Sequence, residues 1–309
     1  MAPPDLELSV VLTLLDHDGH AAECVESWAR AQDLPRESYE VIAVASGGER
    51  EVERLIQPLL GDQDRVLEFP ASQELALHDH GARAARGRWL LFTEAHTVAE
   101  PDCLSSLLRY LSANESRYAG ACIRSFSDGS DNPVARCEQR WYADGFSEWS
   151  LEGDWRKVTI RGFAIRRDVY LEVGGFEHRF GCFAETALAA SLAERGQRLG
   201  CASDAAVKHY DATHLAPLLR YVREYREGEL AYRTTKRPEY GDRWFGAMPP
   251  ALDAAPRARV RLRYLLARAR FARPGLSDDA RYERFRELWQ AASDWEQQRA
   301  MRRIAVGVP

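Results

Sequence analysis

Apolar runs alternate with amphipathic segments through the first hundred positions. Residues 8–14 (Leu-Ser-Val-Val-Leu-Thr-Leu), 39–45 (Tyr-Glu-Val-Ile-Ala-Val-Ala) and 66–69 (Val-Leu-Glu-Phe) are β-rich, and a fourth apolar run opens at Arg88-Trp89-Leu90-Leu91-Phe92. Between them, residues 21–32 carry apolar side chains at 21, 24, 25 and 28, the spacing of one helix face. Residues 49–60 and 73–86 continue the alternation, with Ser72 as a cap and Gly87 as a stop. A β-α-β-α-β-α-β order predicts a doubly wound, largely parallel sheet with helices on both faces. Thr13, Ser46 and Glu94 then fall at carboxyl ends of strands, where open α/β sheets bind ligands.

Further along, Pro101 suits the first turn of a helix reaching about residue 112, followed by a strand over 118–123. Residues 125–157 lose periodicity and hold Trp141, Tyr142, Phe146, Trp149 and Trp155, as either a ligand-lining loop or an apolar cover for the sheet. Short β-like runs at 158–160 and 163–165 flank Arg161-Gly162, which could line an acceptor side or form a plain turn. Gly174-Gly175-Phe176 follows a short helix, 184–195 is helical, and 199–202 leads to Val207-Lys208-His209-Tyr210. An amphipathic helix is expected over 214–235, and residues 238–256 form a linker with four prolines. Two helices close the chain, at 257–272 with six arginines and at 278–303 with Trp289 and Trp295. The expected division is a domain over 1–235 and a helical extension over 236–309.

With 309 residues, 45% of them hydrophobic, the chain can bury a full core without disulfides. Six scattered cysteines show neither metal-type spacing nor a secreted framework, so a reducing cytoplasm is expected. A net charge of −5 argues against nucleic acid as a partner. The first residues lack a basic and apolar leader, and no apolar run approaches about 18 residues, so neither a signal peptide nor a membrane span is expected. The arginine stripe over 257–272 is a solvated face with Glu partners or a surface for anionic lipid.

The densest chemistry lies at Glu94-Ala95-His96, directly after the fourth strand. Separated by one residue, Glu94 and His96 can face one side of an extended segment and ligate a metal. The competing reading has Glu94 capping the next helix and His96 on a surface loop. Asp16-His17-Asp18-Gly19-His20 is metal-like in composition but fits a polar βα loop. His78 and His80 fit the surface of their helix.

The ordered set of motifs resembles the GT-A glycosyltransferases, particularly the family-2 group. The first strand and Cys24-Val25-Glu26-Ser27 match its opening, Ala43-Val44-Ala45-Ser46-Gly47-Gly48 its V-V-D-D-G-S, and residues 77–87 its A-R-N-x-G-x-x-x-A-x-G segment. Glu94-Ala95-His96 occupies the D-x-D position, Val173-Gly174-Gly175-Phe176-Glu177 matches V-G-G-F-D/E, Glu185-Thr186 falls at the E-D pair, and Val207-Lys208-His209 matches V-x-H. The match covers about residues 7–235, with Ser replacing the second Asp of D-D-G-S and Thr replacing the Asp of E-D. Glu-x-His also resembles the D-x-H of polypeptide N-acetylgalactosaminyltransferases, which are retaining enzymes with a second downstream metal-binding His.

The resemblance implies a GT-A, Rossmann-like fold. The donor would be a nucleoside diphosphate sugar and the acceptor a hydroxyl. Nucleotide-sugar-binding positions would be Thr13, Leu15, Ser46, Asp79, Glu94 and Ala95. It further implies metal ligands Glu94, His96 and His209; two imidazoles favour Mn²⁺ over Mg²⁺. Inverting transfer needs a base, for which Glu185 is the candidate, although a first-turn Glu is also favoured by the helix dipole. Retaining transfer and a non-catalytic nucleotide-sugar-binding relative are the alternatives. A nucleotidyltransferase needs a Gly-rich basic loop after strand one, and Leu15-Asp16-His17-Asp18-Gly19 has no Lys or Arg.

Overall fold

A computed structural model describes residues 6–15, 18–149, 158–235 and 250–305, with the side chains of 146–149 and 304–305 excepted. The alternation expected from periodicity is present: β1 (Leu8–Thr13), α1 (Ala21–Ala29), β2 (Tyr39–Ala45), α2 (Arg50–Ile56), β3 (Arg65–Glu68), α3 (Glu74–Ala84) and β4 (Trp89–Glu94). There follow β5 (Thr97–Ala99), α4 (Cys103–Asn114), β6 (Gly120–Ser127), α5 (Pro133–Trp149), β7 (Phe163–Arg166) and α6 (Arg167–Val173). The chain continues through α7 (Ala184–Glu194), β8 (Leu199–His209), α8 (Leu215–Thr235), α9 (Ala254–Phe271) and α10 (Asp278–Ala305).

The strands form one mixed sheet in the order β3-β2-β1-β4-β7-β6-β8-β5. The first four are parallel neighbours. In the rest, β7 runs antiparallel between β4 and β6, β8 is parallel to β6, and β5 is antiparallel on the far side of β8. In a flat sheet, four strand spacings of about 4.8 Å would put β5 roughly 19 Å from β4. Three residue steps, from Glu94 to Thr97, reach at most about 11 Å. The sheet therefore curls, and the curl brings the end of β8 back to the end of β4.

Period-two alternation sends side chains to both faces. Leu8, Val10, Leu12, Val41 and Ala43 pack with Cys24, Val25 and Trp28 of α1 and Cys103, Leu104 and Leu107 of α4. Val11 and Val44 point the other way, onto α3, so closely that a Cβ at Gly81 would lie 2.6 Å from Val11 Cγ1 and 2.9 Å from Val44 Cγ2. Helices thus cover both faces, as expected.

The chain divides into two compact units: Met1–Asp128 with Phe146–His178 and Glu185–Tyr210, and Gly129–Gly145 with Arg179–Ala184 and Asp211–Pro309. The second has its own core, built on Cys137, Leu218, Ala267, Phe271, Tyr282, Phe285 and Leu288.

Several local expectations are corrected. Part of the stretch without periodicity is helix α5. Asn132 begins it, its Oδ1 accepting the N–H groups of Val134 and Ala135 at 2.9 and 3.3 Å, and Pro133 occupies the first turn. Trp141 on α5 packs against Trp289 of α10, with centroids 4.4 Å apart. It belongs to the core of the second unit; Trp155 and the side chains of Phe146 and Trp149 lie outside the described residues. Pro101 precedes its helix, which starts at Cys103 with Asp102 as the residue before it. Residues 199–202 and 207–209 belong to one strand, β8, whose register against β6 shifts after Ile123, and Tyr210 lies just beyond it. Residues 158–160 are not strand. The residue before α3 is Gln73, without a side-chain cap, so Ser72 does not serve there. All six cysteines are free thiols.

Candidate active site

Glu94 is the last residue of β4, paired in register with Thr13 at the end of β1. Ala95 and His96 form a turn rather than an extended segment, and Thr97 begins β5. That turn is tied down on three sides. The carbonyl of Glu94 accepts Thr97 Oγ1 at 2.8 Å and Cys24 Sγ at 3.4 Å, and the carbonyl of His96 accepts the N–H of Tyr210 at 3.0 Å. His209 pairs with Thr97 across the β5–β8 ladder, which carries its side chain to the turn.

The three side chains converge. Glu94 Oε2 lies 3.2 Å from His209 Nε2 and 3.6 Å from His96 Nε2, and the two rings meet edge to face at 4.8 Å. One ligand atom from each of Glu94, His96 and His209 can be chosen so that all lie within 4.8 Å of one another. Bonds of about 2.1 Å to one metal separate neighbouring ligand atoms by roughly 3.0–3.4 Å, so small side-chain adjustments suffice for a shared cation. Glu94 Oε2 is buried without a hydrogen bond, an unsatisfied state that a cation would relieve. Burial pushes the Glu94 carboxyl up, but His96, His209 and Arg161 close by hold it well below the ordinary range. His96 moves down chiefly through burial, which Glu94 opposes, so it is a neutral imidazole fit to ligate.

Arg161 was expected at an acceptor wall or in a plain turn; its charge acts on both Glu94 and His96. The turn that carries it is fixed by Glu185, in the first turn of α7, whose Oε1 accepts the N–H of Ile160 at 2.7 Å. Glu185 is buried.

At the ends of β1 and β2, Thr13 Oγ1 donates to Glu74 Oε1 at 3.1 Å, and Leu15 sits half-buried in the following turn. Ser46 donates both its N–H, at 2.9 Å, and its hydroxyl to Glu49, which also accepts the N–H of Gly48 at 3.0 Å. Glu49 is a residue that reading the motif missed, yet its spacing from Ser46 is that of an S-x-x-E box. Ala95 has its side chain in the core.

Asp79 is engaged within the protein. Its Oδ1 accepts the Tyr170 hydroxyl at 2.9 Å and its Oδ2 accepts Arg83 Nε at 2.7 Å, while Arg83 Nη2 reaches the carbonyl of Gly174 at 3.0 Å. Gly175, at φ +75°, passes so close that a Cβ there would lie 2.3 Å from Asp79 Oδ1. The glycine pair and the α3 motif are thus two sides of one junction. His78, expected on the helix surface, is fully buried against Phe92, and burial pushes its pKa down to about 3. His80 is half-buried and stacks on Phe69 with centroids 4.4 Å apart. Asp16 and His17 lie outside the described residues; His20 stacks on Tyr210 instead of joining the Glu94 group.

Comparison with known proteins bears on the fold. A mannosyltransferase from Pyrobaculum calidifontis in complex with GDP-Man and Mn²⁺ superposes with TM-score 0.60 at 14% identity, over 98% of this chain and 87% of that one. Residues 1–349 of TarS from S. aureus give TM-score 0.53 at 12% identity, over 98% and 92% of the two chains. The same TarS segment in complex with UDP gives 0.50 at 12% identity, over 98% and 92%. No curated protein matches the chain by sequence. The model of the glycosyltransferase-like family 2 matches residues 3–226. With that match over most of its length, and with a GT-A-type fold, this chain belongs to the family-2-like glycosyltransferases.

Proposed function

We propose that the protein transfers a sugar, with inversion, from a nucleoside diphosphate sugar to a hydroxyl acceptor, and that it depends on a divalent metal held by Glu94, His96 and His209. The observation that carries this reading is the convergence of a buried carboxylate and two imidazole nitrogens at the carboxyl end of β4. A cation bound there supplies Lewis-acid neutralisation of the diphosphate, and two nitrogen ligands favour Mn²⁺ over Mg²⁺. Arg161 adds a positive charge on the same side, suited to a departing diphosphate. The strand ends that carry Thr13, Leu15, Ser46 and Ala95 form the donor side, Ala95 through its backbone, since its side chain lies in the core. Glu185 takes the proton of the acceptor hydroxyl, its carboxylate oriented by the N–H of Ile160.

The test is a thermal-shift screen of nucleoside diphosphates and nucleotide sugars, with and without Mn²⁺. Stabilisation by a diphosphate should require the metal and vanish in His96→Ala. No shift with any nucleotide overturns the reading. Once the donor is known, the anomeric configuration of the product, read by NMR, separates inversion from retention. Glu185→Gln should lower kcat with little change in KM for the donor.

A further inference from the structure

Helix α9 packs on α10 through Ala267 and Phe271, with Tyr264 partly buried beside them. Projected at 3.6 residues per turn, the face opposite this contact carries Leu262, Leu265 and Leu266. They are 56%, 48% and 47% exposed, three of the four large hydrophobic side chains that stand exposed among the described residues. Arg259 and Arg270 border this strip on one side, and Arg261 and Arg268 on the other. No Asp or Glu occurs in Ala254–Phe271.

The neighbouring helix shows how unusual this is. In α10 arginines pair with glutamates of the same helix, Arg284 with Glu287 at 2.7 Å and Arg299 with Glu296 at 2.8 Å. In α9 only Arg263 forms an ion pair among the described residues, with Asp294. Among the described residues no Glu pairs with the arginine stripe, and Arg259, Arg268 and Arg270 keep their charge for an outside partner.

We propose that this face of α9 is a docking surface for an anionic phospholipid bilayer. Leucines in the middle with arginines on both borders match an interfacial helix, in which the apolar side chains enter the acyl boundary and the guanidinium groups meet phosphates. The chain's overall charge of −5 does not oppose this, because salt screens distant charges beyond about 8–10 Å. A nucleic acid or an acidic protein surface would use the arginines but leave the leucines wet. Among the described residues no helix is long and apolar enough to cross a membrane, so the contact lies at the surface.

The test is co-sedimentation of the full chain with vesicles of phosphatidylcholine alone and of equimolar phosphatidylcholine and phosphatidylglycerol. The protein should pellet with the anionic vesicles only, and less so as salt rises. Arg259→Glu with Arg270→Glu should weaken partitioning by about fivefold or more per position. Leu262→Gln with Leu266→Gln should weaken it by about tenfold or more. Thermal unfolding should be unchanged in both double variants, since these side chains are exposed. Equal binding to both vesicle types, no binding, or unaltered binding by both variants overturns the proposal. So does self-association that is lost in the leucine variant without any vesicle binding, which would assign the face to a second copy of the chain.

Discussion

Glu40 and Glu94 lie toward opposite ends of the parallel strands. Glu40 is fully buried. Its Oε1 accepts the Ser9 hydroxyl and the Arg86 N–H, both at 2.7 Å, and its Oε2 accepts Arg65 Nη2 at 2.9 Å and Arg86 Nη2 at 2.8 Å. Each oxygen is satisfied by the protein itself. Glu94 is 15% exposed, and its Oε2 has two imidazole nitrogens near it but no hydrogen bond. Both carboxyls are held below their ordinary range, so charge state does not separate them. What separates them is satisfaction. A carboxylate saturated by arginines and backbone closes a structure, whereas one left incomplete beside two imidazoles keeps an acceptor for a further partner.

That contrast breaks most sharply at Glu94. Glu94→Ala should lower sugar transfer by about 10³-fold, several kcal/mol of transition-state stabilisation at 1.36 kcal/mol per decade. It should also abolish any Mn²⁺-dependent thermal shift while leaving the apo protein folded. Glu40→Ala should do the reverse. It removes the shared acceptor of Ser9, Arg65 and Arg86 and should cost about 2–3 kcal/mol in urea unfolding, less than for a wholly buried pair because both arginines are partly exposed. Its Mn²⁺ response should be intact.

Asp79 sharpens the comparison further. With Tyr170 and Arg83 on its oxygens it resembles Glu40 more than Glu94. Asp79→Ala should therefore cost about 1–2 kcal/mol of stability, with KM for the donor unchanged. A rise in KM without loss of stability would move it to the nucleotide.

The smallest expected effect is on pH dependence. Burial would raise the Glu40 carboxyl, but the hydrogen bonds from Ser9 and Arg86 and the charge of Arg65 outweigh it and lower the pKa. Its contribution is thus present above the unfolded value, near 4.3, and is lost as pH falls through the lower folded value. Urea midpoints measured from about pH 5 downward should fall less steeply in Glu40→Gln than in the parent chain.

Local pattern made the parallel half of the sheet legible. β1 to β4 and their helices are contiguous units, each announced by its own period and flanked by turn residues. Glu94 and His96 were visible as ligand types at a strand end. The second half was less readable. β5 is too short for a period, α5 was hidden by a mixed aromatic and polar composition despite its Asn132-Pro133 start, and Ser203-Asp204 interrupt the apolar pattern of β8. Burial is also invisible locally, so His78 looks like a surface residue by helical position yet faces Phe92.

The sequence by itself determined the order of strands and helices, the family motifs and the types of ligand available, because these depend on neighbours a few residues apart. The family resemblance already named His209 as a partner of Glu94; only the tertiary structure showed how it gets there and that Arg161 adds its charge. Curling of the mixed sheet carries β8 to the end of β4, joining positions more than a hundred residues apart. The outward leucine face of α9 was settled the same way, since packing on α10 chose which side of that helix to bury.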